Sequence, residues 1–130
     1  MMKQYNQAIS DYSEALRIDP KFVRAYNKRG VVYTKLKNYE LALADYDSAI
    51  KHDPKFPFAY SNRGNVFCLL KNYSEAEYDF HTALNLLPNS PVYLLNLANC
   101  YLELNEMFKA KSFFNEGVES FTSNKEHVLK

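Results

Sequence analysis

The side chains best suited to chemistry in this 130-residue sequence are three histidines, two cysteines and a recurring pair of aspartates, and their spacing argues against a catalytic centre. His52, His81 and His127 stand in unlike contexts with no metal-ligand spacing. His52 and His81 fall late in helical segments, where surface or partly buried roles prevail. Cys68 and Cys100 are far from a C-x-x-C arrangement, and each lies among apolar helical neighbours, which reads as a pair of buried free thiols. The glycines are scattered, so no loop is built to cradle a phosphate. Asp45 and Asp79 recur at a fixed interval, which makes them structural before catalytic. An enzyme is therefore not expected, and neither is a cofactor or a metal.

The residues that remain informative are the ones that repeat. Laying residues 23–56 over 57–90 matches Ala25 with Ala59, Tyr26 with Tyr60, Arg29 with Arg63, Gly30 with Gly64, Ala42 with Ala76, Ala49 with Ala83 and Pro54 with Pro88, without a gap. The period is 34 residues. One further step puts Leu94, Leu97, Ala98, Tyr101, Ala110, Phe114 and Gly117 in the same slots. A step backward does so for Ala8, Tyr12, Ala15 and Pro20. The chain thus divides into the second helix of a truncated repeat (1–22), three repeats (23–56, 57–90 and 91–124) and the start of a possible further helix (125–130).

Within a copy, apolar residues recur at helical spacing, break at a polar pair (Lys37-Asn38 in the first, Lys71-Asn72 in the second) and resume, which predicts two antiparallel helices of about 14 residues each. Pro57 and Pro91 suit the first helical position, Ser90 is placed to cap a helix, and the Asp19-Pro20 and Asp53-Pro54 pairs end the preceding helices. Gly30, Gly64 and Ala98 on the first helix are expected to face Ala42, Ala76 and Ala110 on the second. Such small residues let two helices approach closely, with Tyr33, Phe67 and Tyr101 filling the space beside them.

Composition narrows the partners. Sixteen basic against fifteen acidic side chains give a net charge of +1, so no overall field draws the chain to nucleic acid or to an anionic membrane. No apolar run approaches the ~20 residues that cross a bilayer, and the N-terminal segment lacks a signal peptide's apolar stretch. A soluble, cytoplasmic chain without membrane insertion is expected. Aromatics are abundant, with 11 Tyr and 9 Phe, but Tyr5, Tyr39 and Tyr73 recur on second helices at the repeat period and are explained by packing, so nucleic acid binding is not expected either.

The pattern resembles the tetratricopeptide repeat: an aromatic residue, then Leu-Gly, Tyr, Ala, Phe and Pro at set positions. Here it reads Tyr26, Arg29-Gly30, Tyr33, Ala42, Tyr46, Pro54, then Tyr60, Arg63-Gly64, Phe67, Ala76, Phe80, Pro88, then Leu94, Leu97-Ala98, Tyr101, Ala110, Phe114. Arg29 and Arg63 depart from the usual leucine, and Thr122 stands where proline belongs. The resemblance implies an all-α, right-handed α-solenoid of antiparallel helix pairs that acts as a protein-interaction scaffold. It also implies a concave groove, lined by first helices, that holds an extended or helical peptide.

Positions 2, 6, 9 and 13 of each first helix project about 180° from its packing stripe. They are Arg24, Lys28, Val31 and Lys35, then Phe58, Asn62, Asn65 and Leu69, then Val92, Asn96, Asn99 and Glu103. Asn62 with Asn96 and Asn65 with Asn99 form a two-by-two set of amides, each offering the donor and acceptor that a peptide backbone needs. Arg24, Lys28 and Lys35 make one end of the groove basic and Glu103 makes the other acidic, so an acidic ligand segment belongs over the first repeat. Chaperone-binding members of the family clamp a C-terminal carboxylate with lysine and asparagine in one repeat, asparagine in the next, and lysine and arginine in the third. The matching residues are Asn27, Val31, Asn62, Val92 and Asn96, of which Asn62 alone fits, so no carboxylate clamp is expected. The partner itself is not identified by the sequence. An alternative role is a docking or assembly arm of a larger multidomain enzyme or complex, with the repeats acting mainly in oligomerisation. With no polar capping helix in sight, the reading further expects a longer array or self-association through the ends.

Overall fold

The computed structural model describes residues 2–104 and 115–116, which contain six α-helices: α1 (Met2–Ile18), α2 (Val23–Lys35), α3 (Tyr39–His52), α4 (Pro57–Leu69), α5 (Tyr73–Leu86) and α6 (Pro91–Glu103). Each packs on the next along the chain, and α2 also touches α4, the arrangement of an all-α solenoid. Ala110, Phe114, Gly117, Thr122 and His127, with the second half of the 91–124 repeat, lie outside the described residues.

The turns inside the first two hairpins are Schellman motifs. Lys37 sits in the left-handed region at φ 62° and Lys71 at φ 63°. In the first turn the Lys37 and Asn38 amides donate to the Thr34 and Tyr33 carbonyls, and in the second the Lys71 and Asn72 amides donate to those of Cys68 and Phe67. A lysine bears the backbone strain that glycine avoids. Between hairpins, Asp19 and Asp53 accept the amides of Lys21 and Lys55 at 3.1 Å, which turns the chain into the next helix. Pro57 and Pro91 do open α4 and α6, where no amide is needed. Ser90 holds the capping position with extended backbone, yet its side chain makes no capping hydrogen bond.

The core consists of repeated clusters. Ala42, Tyr46 and Val66 join α3 to α4, flanked by Val31, Tyr33, Tyr39 and Leu43. One repeat later Ala76, Phe80 and Cys100 take the same slots, together with Leu97 and Tyr101. The glycines serve this packing in a way that differs from expectation. A Cβ on Gly30 would lie 2.6 Å from the Tyr46 ring, and one on Gly64 2.9 Å from the Phe80 ring. The atoms nearest each glycine thus belong to the buried aromatic ring one turn after the alanine.

The two arginines that depart from the repeat pattern join three helices each. Arg29 donates to both carboxylate oxygens of Asp45 at 2.8 and 2.7 Å and to Ser13 Oγ at 3.0 Å. Arg63 donates to Asp79 at 2.9 and 2.7 Å and to Asp47 at 2.9 Å. Asp45 and Asp79 are thus buried partners of an arginine, and their recurrence is structural. Burial pushes the Asp79 carboxyl upward while the Arg63 guanidinium pulls it back, and hydrogen bonding to Asp79 holds Arg63 firmly protonated. The Arg63 guanidinium also lies over the Tyr60 and Phe67 rings, 5.7 and 6.0 Å from their centroids.

Candidate functional site

The first helices α2, α4 and α6 carry the candidate groove residues, and their exposure follows from the helical spacing. Arg24, Lys28 and Lys35 on α2 are exposed, as are Phe58, Asn65 and Leu69 on α4 and Val92, Asn99 and Glu103 on α6. Phe58 leaves 49% of its surface in water and Leu69 57%, which is much for large apolar side chains on a folded surface. Phe58 is steadied by Phe56, whose ring meets it edge-on at 5.4 Å. Val31, in the slot that Asn65 and Asn99 fill in the later repeats, is half-buried against the Ala42, Tyr46 and Val66 cluster.

The amides do not behave as one uniform ladder. Asn62 Nδ2 donates to Asn27 Oδ1 at 2.9 Å, spanning α4 and α2, and Asn27 itself is buried. This bond spends one donor of Asn62 within the protein. Asn96, its counterpart one repeat later, faces a different neighbour, because Ser61 occupies the slot of Asn27 and its hydroxyl turns back to the Phe58 carbonyl at 3.1 Å.

Asn65, Leu69, Asn96, Asn99 and Glu103 converge on one cavity of about 520 Å³ between α4 and α6. Tyr73 and Phe80 of α5 and the two cysteines complete its lining. The volume suits a side chain and a short stretch of backbone, and the lining pairs an apolar floor with amides at the rim. Five of the twelve groove positions are thus brought together. Arg24, Lys28, Val31, Lys35, Phe58, Asn62 and Val92 do not line this cavity.

Three contributors escaped the sequence reading: Asn27, Tyr73 and the thiol pair. Cys100 is buried, as expected, but Cys68 is only half-buried, and their sulfurs approach to 3.8 Å. Among the described residues no group of three or more His, Cys, Asp or Glu side chains could hold a metal ion. His52 stacks on Tyr26 with ring centroids 5.8 Å apart. His81 Nε2 meets the Tyr101 hydroxyl at 2.8 Å, and that hydroxyl lies 3.0 Å from Glu77 Oε1, a polar link between α5 and α6. No described helix is long and apolar enough to cross a membrane.

Comparison with known proteins bears on the whole arrangement. A family model described as tetratricopeptide repeat matches residues 23–56 and 57–90. One described as TPR repeat matches residues 2–37, and another tetratricopeptide repeat model matches 93–121. No curated protein matches the chain. Among solved structures, one titled "MamA RS-1 ArsTM double mutant" superposes with a TM-score of 0.85 at 21% identity, over 95% of this chain and 69% of that one. Another, "MamA MSR-1 C2", gives 0.80 at 18% identity, over 93% and 70%. At such identities the likeness is one of fold.

Proposed function

The chain belongs to the tetratricopeptide repeat family, whose arrays are protein-interaction scaffolds, and from that premise we propose that it binds a peptide segment of a partner protein in the groove formed by α2, α4 and α6. The observation that carries this reading is the cavity between α4 and α6, where Asn65, Asn96 and Asn99 surround an apolar floor. A bound backbone finds donors and acceptors at the rim, and one apolar side chain finds the floor.

Charge orients the segment. Arg24, Lys28 and Lys35 favour an acidic stretch over α2, while Glu103, which lines the cavity, favours a basic residue there. The carboxylate clamp is not part of the proposal. Of the clamp positions, Asn62 alone carries the fitting residue, and its amide is already bonded to Asn27.

The test is selection from a displayed peptide library with free and blocked C-termini. Binding should ignore the terminus, reach about micromolar strength and weaken about tenfold or more in N96A/N99A. It should also fall little with salt, unlike phosphate-driven binding of nucleic acid. Binding that survives N96A/N99A unchanged, or that demands a free C-terminus, sinks the proposal.

A further inference from the structure

Cys68 occupies the slot that Thr34 fills one repeat earlier, and Cys100 the slot of Val66. At the junction of the first two repeats those slots hold a hydroxyl and a hydrocarbon. At the second junction they hold two thiols, and the helical geometry sets their sulfurs 3.8 Å apart across α4 and α6. Both are free, and both line the cavity. Cys100 is 1% exposed and belongs to the core cluster of Ala76, Phe80 and Leu97, whereas Cys68 is reached from the cavity.

We propose that Cys68 and Cys100 are a reactive dithiol that exchanges with small-molecule or protein disulfides to form a reversible bond between the second and third repeats. The two sulfurs have distinct roles. The two thiols share one hydrogen bond, which lowers the Cys68 pKa and raises that of Cys100, so the accessible sulfur is also the one that more readily becomes a thiolate. The Cys68 thiolate attacks one sulfur of the incoming disulfide, forms a mixed disulfide and expels one thiolate. That thiolate takes the Cys100 proton. The Cys100 sulfur then attacks the Cys68 sulfur, breaks the mixed disulfide and releases the second thiol. Two protein thiols are oxidised, one disulfide is reduced to two thiols, and the same steps run backward when thiols are in excess. The sulfurs must close from 3.8 Å to the ~2.05 Å of a disulfide, and the bond ties α4 to α6 at the cavity floor.

The bond requires no bound partner, so it is tested apart from the peptide-binding proposal. The full chain is equilibrated with mixtures of reduced and oxidised glutathione, quenched in acid, alkylated and weighed intact. The expected product carries no alkyl label, is about 2 Da lighter than the reduced chain and returns to it with excess thiol. C68S, changed at a half-exposed site and checked for helicity, should show no such loss. The oxidised wild type should unfold several degrees above the reduced form, a difference absent in C68S. The proposal is overturned if a glutathione adduct on Cys68 persists as the end product, if chains cross-link instead, if both thiols stay alkylatable in the most oxidising mixture, or if the internal bond lowers the unfolding temperature.

Discussion

The first two full repeats and the third place different chemistry on one framework. In the first two, the first helix is tied by polar anchors: the Tyr26 and Tyr60 hydroxyls donate to the Pro20 and Pro54 carbonyls at 2.8 and 2.9 Å, and Arg29 and Arg63 grip Asp45 and Asp79. In the third, Leu94 replaces the tyrosine, Leu97 the arginine and Ala98 the glycine, and all three are buried. His81, in the slot where Ser13 and Asp47 accept an arginine, bonds Tyr101 instead. One backbone geometry is thus held by directional bonds in one region and by apolar packing in another. A buried ion pair is not needed for the fold, but once present it cannot be half removed.

The comparison is broken most severely by R63L. It strands the Asp79 carboxylate, which is 1% exposed, and should cost about 3–5 kcal/mol in urea unfolding. R63L/D79F, which copies the Leu97 and Phe113 of the third repeat, should regain most of that loss; an equally unstable double variant would show that the two regions are not interchangeable. Next in size is G64A, whose methyl meets the buried Phe80 ring and should cost about 1–3 kcal/mol, while A98G should cost only about 1 kcal/mol through helix propensity. Equal thermal shifts for the two would contradict the contrast. Y60F removes the bond to the Pro54 carbonyl, at about 0.5–1.5 kcal/mol by chemical denaturation, against no counterpart at Leu94. The smallest effect has the opposite sign. K71G relieves the positive φ in the hairpin turn and should raise stability by about 0.5 kcal/mol, read as a small rise in Tm.

The sequence made the hairpins legible because their signals come several times. Tyr26, Gly30 and Ala42 recur in register, so noise at one copy is averaged by the others. The same holds for Arg29 with Asp45 and Arg63 with Asp79, whose recurrence was visible although their pairing was not. What stayed hidden occurs once and out of register. Cys68 and Cys100 lie 32 residues apart, two short of the period, and Asn27 and Asn62 lie 35 apart. Contacts between successive first helices depend on how one repeat is rotated against the next, and no residue type reports that rotation. The cavity was therefore legible as a row of exposed positions but not as a recess, and Tyr73, whose recurrence with Tyr39 spoke only of packing, gave no sign that it lines one.

The reach of Arg29 and Arg63 across two neighbouring second helices has a consequence for the order of modules. Each arginine takes one acceptor sixteen residues ahead, in its own hairpin, and another sixteen residues behind, in the hairpin before it. A repeat of this kind gains the second bond of its arginine only after a unit that offers a hydroxyl or carboxylate at the matching place, as Ser13 and Asp47 do. A leucine-type repeat such as the third makes no such demand. The array therefore has a grammar of succession, in which shuffling hairpins by recombination is tolerated in one direction and penalised in the other.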